Sequence, residues 1–68
     1  MIISVHKLNV ELARRQLSII DFCKKSGISQ VTVEQIRRGV RKARPKTIGR
    51  IAAALGVDVT EIIEQGEL

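Results

Sequence analysis

Apolar residues recur along the chain at intervals of three and four, the spacing that gathers them on one face of a helix. Val5, Leu8 and Leu12 make the first such stripe, with Ser4 before it as an N-cap. Lys7, Glu11 and Arg14 fall on the far side of that helix and are expected in solvent. Ser18 is the next N-cap, Asp21 suits the positive end of the helix dipole, and the segment 19–26 ends at Gly27. After a short turn, Ser29 caps a third helix, Gln30 to Arg38, which buries Val33 and Ile36 and stops at Gly39. Pro45 fits the first turn of a fourth helix, where Ile48, Ile51, Ala52 and Leu55 form the buried stripe before Gly56 ends it.

Gly49 inside that fourth helix costs about 1 kcal/mol relative to alanine, which a close approach of a second helix would offset. Asp58 and Glu61 have the spacing of a capping box, and Val59, Ile62 and Ile63 give a last short helix its apolar side. The pattern predicts an all-α fold of five short helices in one domain, residues 1–68, with Val40 to Arg44 as a charged connection and 65–68 frayed.

Composition narrows what such a domain can do. A chain of 68 residues supports one small core and leaves no room for a catalytic cleft. Phe22 is the sole aromatic, so that core must be packed from Ile, Leu, Val and Ala. Cys23 and His6 are each single, too few for a disulfide or a zinc site, and no cofactor is expected. Cys23 reads as a small packing residue and His6 as a solvated one. Ser, His and Asp occur without the pattern of a nucleophile and its base, so neither enzyme activity nor a small-molecule substrate is expected.

The formal net charge of +5 is unevenly spread. Nine bases and one acid, Glu34, occupy the stretch from Lys24 to Arg50, whereas Asp58, Glu61, Glu64 and Glu67 follow without a base among them. One side of the folded domain should therefore be electropositive, as a nucleic-acid partner requires. No run approaches 18 consecutive apolar residues and no long apolar leader opens the chain, so the reading is a cytoplasmic protein without a membrane partner.

Residues 19–38 carry a more specific signal. A helix-turn-helix needs a small residue where two helices meet, a Gly at the turn and apolar residues at fixed offsets. Cys23 and Gly27 fill the first two requirements, and Phe22, Ile28, Val33 and Ile36 fill the third. The stretches LARRQLS, SGISQVTVEQIRRG and RPKTIGRIAAALGVDVTEII extend the match, and from about Leu8 to Ile63 the chain resembles the Xre family, the Cro and lambdoid-repressor type of helix-turn-helix protein. The resemblance implies a lambda-repressor-like five-helix domain that binds duplex DNA operators, often as a homodimer, and commonly regulates phage, mobile-element or toxin-antitoxin genes. The sequence departs from that family at Ile19, where Gln usually bonds a phosphate, at Cys23 and Ser26, where aliphatic residues are usual, and at Arg37, where an acid often bridges to the first helix.

Burying Val33 and Ile36 turns Val31 and Arg38 outward on the third helix, flanked by Gln30, Glu34 and Gln35. Gln30 and Gln35 can each bond adenine bidentately, Val31 can pack on a thymine methyl, and Glu34 can accept from cytosine or hold Arg38 four residues on. Ser29 and Thr32 lie where a phosphate is nearer than a base, and Arg38, Arg41, Lys42 and Arg44 can follow the backbone beside the groove. Ile62, Ile63 and Leu68 are candidates for a two-fold contact, with the core as the equal alternative. The expected function is a transcriptional repressor or regulator. The competing one is an antitoxin-like module that holds a protein partner as well as its operator, for which only residues 65–68 remain beyond the domain.

Overall fold

A computed structural model of the chain describes residues 2–64. It contains α1 (Val5–Arg14), α2 (Ile19–Ser26), α3 (Gln30–Arg37) and α4 (Pro45–Leu55), followed by a single 3-10 turn, Val59–Glu61. The predicted all-α class holds, and each serine expected to cap a helix does so. Ser4 Oγ accepts from the Lys7 amide at 3.2 Å, Ser18 Oγ from Asp21 at 3.1 Å and Ser29 Oγ from Thr32 at 3.2 Å.

The expected fifth α-helix is instead three residues of 3-10 turn. Asp58 does cap it, accepting from the Thr60 amide at 3.0 Å, but the next bonds run from residue i to i−3, Glu61 to Asp58 and Ile62 to Val59. The chain then straightens, because the backbone beyond Ile62 is claimed by the segment ahead of α1. An antiparallel bridge joins Ile3 to Ile63, flanked by bonds from the Ser4 amide to the Ile62 carbonyl (2.8 Å) and from the Glu64 amide to the Ile2 carbonyl (2.9 Å). Lys7 Nζ donates to the Ile63 carbonyl at 3.1 Å and completes this tie between the two ends of the fold.

The core is aliphatic around one ring, as the composition requires. Phe22, Leu8, Ile48, Ile51, Ile62 and Val33 are fully enclosed, and Ile28 and Ile36 are buried with them. α4 packs on α2, and α2 on α3, so the Phe22 side of α2 is the hub against which α3 is set. Ile62 belongs wholly to this core, which removes it as a surface for a two-fold contact, whereas Ile63 packs against the core and keeps part of its surface in solvent; Leu68 lies outside the described residues.

Two further expectations are corrected. Glu11 is not on a solvated face: it is 9% exposed, ion-paired to Arg15 and 3.5 Å from Arg14. Both partners stand three and four residues on, within reach on the same helix. Gly49 meets no close helix either, since a Cβ there would find nothing within 4 Å. Among the described residues no helix is long and apolar enough to cross a membrane, and no group of His, Cys, Asp and Glu is placed to hold a metal ion.

Candidate nucleic-acid interface

The turn between α2 and α3 depends on Gly27. Its φ of 74° lies in the left-handed region, and its amide bonds back to the Cys23 carbonyl at 2.9 Å, closing α2. Ile28 then drops into the core and Ser29 starts α3, which sets α3 across α2 with its Val33 and Ile36 side inward. Ser26, where an aliphatic residue is usual in the resembling family, has a structural task here: its hydroxyl accepts from the Ile28 amide at 3.3 Å and so ties the turn. Ile19 is half-buried and packs on the core, consistent with an alkyl group in place of a phosphate-binding amide.

The opposite side of α3 is free. Val31 is 66% exposed, Gln30 and Arg38 are exposed, and Glu34 and Gln35 are half-buried, the five together lining one open hollow. Eight residues of α3 span roughly 12 Å, a length and diameter that a major groove accepts. Cys23 lies behind this helix, half-buried as a packing residue; burial pushes its thiol up from its ordinary value, and the Glu34 charge adds to the shift.

The charged side chains on this face are organised differently from expectation. Arg38 is the C-cap of α3 and not its last helical residue, and Glu34 pairs with Arg37 at 3.0 Å instead of holding Arg38. Arg37 also donates to Asn9 Oδ1 of α1 at 3.3 Å. Among the described residues Arg37 makes no ion pair to α1, and this hydrogen bond to a neutral amide joins the two helices in its place.

After α3 the chain reverses at Gly39, whose φ is also 74°. The Val40 amide bonds to the Gln35 carbonyl and the Gly39 amide to that of Ile36, both at 3.1 Å, the paired bonds of a Schellman end. This reversal brings Arg41 back over α3, where its Nη1 donates to Gln35 Oε1 at 3.2 Å and to Thr32 Oγ1 at 3.4 Å. Thr32 is itself bonded to Ser29 Oγ at 2.8 Å. No periodicity in the sequence signals this network, because it joins a helix to a loop residue through a glycine turn. Lys42 and Arg44 remain exposed and, with Thr32, Arg41 and Thr47, border a second, smaller hollow at the start of α4. Arg44 caps α4 without a side-chain bond to its amides, so the positive end of that helix faces the same basic surface.

The fold and this face define a class: a helix-turn-helix domain that leaves one side of the motif's second helix, edged by arginines, open to solvent. A family model described as helix-turn-helix matches residues 10–62, and the chain belongs to that family, in its Xre type. It is a DNA-binding helix-turn-helix protein of the regulator kind. No curated protein and no solved structure gives a significant match to it.

Proposed function

We propose that the chain is a sequence-specific transcriptional regulator, acting in the cytoplasm as a repressor, whose α3 enters the major groove of duplex DNA. The observation that carries this reading is the face of α3 itself: Val31, an apolar side chain, stands 66% exposed between polar neighbours that include Gln30, and none of the described residues covers them. An exposed valine flanked by an amide suits a base edge, where the methyl of thymine and the N6/N7 pair of adenine lie next to one another's groove surface. Gln30 supplies the adenine contact, Val31 the methyl contact, and Gln35 and Glu34 meet base edges farther along the helix.

Phosphates fall to Ser29 and Thr32 at the start of α3 and to Arg38, Arg41, Lys42 and Arg44 after it, on both sides of the groove that α3 would fill. Two copies on a pseudo-palindromic site would place their α3 helices about 34 Å apart, one turn of duplex. Repression then needs no chemistry by the protein, since occupancy of a promoter excludes polymerase.

Selection of binding sites from random duplexes tests the reading. A consensus containing A·T pairs is expected, with loss of preference at one pair in Gln30→Ala. Affinity for the selected duplex should fall with a log-log salt slope of roughly −4 to −6, from about five or six phosphate contacts. Enrichment of no sequence, or a flat salt response, refutes it.

A further inference from the structure

We infer that Arg41 fixes Gln35 as a hydrogen-bond donor, so that the base opposite Gln35 is guanine and not adenine. The inference rests on the DNA reading above and assigns to one position of that interface a specificity that a free glutamine would not have.

A guanidinium donates and never accepts, so of the two ends of the Gln35 amide only the oxygen can face Arg41. The 3.2 Å bond from Arg41 Nη1 to Gln35 Oε1 therefore sets the amide's orientation by chemistry, with its NH2 directed away from Arg41. The clamp has a second foot. The same Nη1 reaches Thr32 Oγ1 at 3.4 Å, and Thr32 is held by Ser29 Oγ at 2.8 Å, so the guanidinium spans residues one helical turn apart on α3. The Gly39 reversal and the bond from the Val40 amide to the Gln35 carbonyl hold the loop that brings Arg41 there. Gln35 lines the hollow on the reading face with Gln30 and Val31 and stands half-buried beneath Arg41.

Adenine needs both ends of an amide: the oxygen must accept from N6 while the NH2 donates to N7. In this protein the oxygen already accepts a bond from a cation, of the kind roughly twice as strong as one between neutral groups. Its remaining lone pair lies beside a positive charge that repels the amino hydrogens of N6. What Gln35 offers a base is the NH2 group alone. Guanine presents two acceptors, N7 and O6, on its major-groove edge, and matches a donor-only side chain. Arg41 is thus a positioning residue for Gln35 as well as a neighbour of the phosphates.

The test compares sites selected from random duplexes by the wild-type chain, Gln35→Ala and Arg41→Ala at one salt concentration, with circular dichroism showing that each variant is folded. The pair read by Gln35 is the one whose preference disappears in Gln35→Ala. At that pair the wild type should favour guanine over adenine at least about five-fold, the lower end of what one base contact provides. Arg41→Ala should lose that preference or turn it to adenine while every other pair keeps its own. An arginine that only contacts phosphate would weaken all sequences alike and leave the pattern unchanged, which would overturn the inference. A wild-type preference for adenine at that pair, or a Gln35→Ala consensus identical to wild type, would overturn it as well, with the Gln30 preference still standing. Failure of the wild type to select any sequence would instead bring down the DNA reading and the inference with it.

Discussion

Replacing Gly49 by alanine should stabilise this protein. Gly49 is the fifth residue of α4, half-buried, in a helical conformation that alanine adopts without strain. A Cβ built there has no neighbour within 4 Å, so no side chain need move to admit it. Alanine loses less backbone entropy on folding, which is why it is the better helix former, and the gain is about 0.5–1 kcal/mol. For a domain of this size each kcal/mol moves the midpoint by about 4–8 °C, so a rise of between about 2 and 8 °C is expected. Thermal melts followed by the circular dichroism of the helices measure it, with Ala53→Gly, exposed on the same helix, as the mirror control that should lower the midpoint by a similar amount. If Gly49→Ala leaves the midpoint unchanged or lowers it while Ala53→Gly behaves as stated, the space around Gly49 is occupied and the reasoning is wrong.

Other perturbations probe the core and the thiol. Phe22→Ala should cost about 3–5 kcal/mol, since the only ring of the core would leave a cavity between α2 and α4. Against a total of about 5–15 kcal/mol, that loss should lower the urea midpoint by at least about a fifth; an unchanged midpoint would show that the core closes over the gap. Cys23 gives a pH signature. Its thiol is held above the ordinary value of 9.0 by burial first and the Glu34 charge second, so the fold favours the neutral form. The stability this contributes is complete below the ordinary value and is lost as pH rises through the higher value of the folded state. The wild type should therefore lose stability above about pH 9 more steeply than Cys23→Ala does, and parallel curves for the two proteins would contradict the assignment.

Most of the architecture was legible because it is written in short-range rules. Ser4, Ser18 and Ser29 bond the amides three residues on, and Gly27, Gly39 and Gly56 take positive φ where helices end, so α1 to α4 begin and stop close to where caps and spacing put them. The outward face of α3 was legible for the same reason: burying Val33 and Ile36 leaves Val31 no place but solvent. The misreadings have different causes. The fifth helix gave way to a 3-10 turn because Ile62 and Glu64 pair with a segment some sixty residues earlier. Glu11 was placed in solvent by its position opposite the apolar stripe, although Arg14 and Arg15 stood within one turn of it on the same helix.

Left to itself, the order of residues decides whatever depends on neighbours within about one turn: which stretches coil, where they are capped, which side of each is apolar, and that the middle of the chain is basic. Tertiary structure decides which partners a side chain meets once distant segments are brought together. Sequence spacing could propose that Glu34 holds Arg38, but only the folded chain shows that Arg41 lies over Gln35 and Thr32, and that Arg37 reaches Asn9 on α1. The physical reason is range. Backbone bonds and caps act over three or four residues, whereas a flexible arginine finds its acceptor through space, in a place that the glycine reversals and the packing around Phe22 create together.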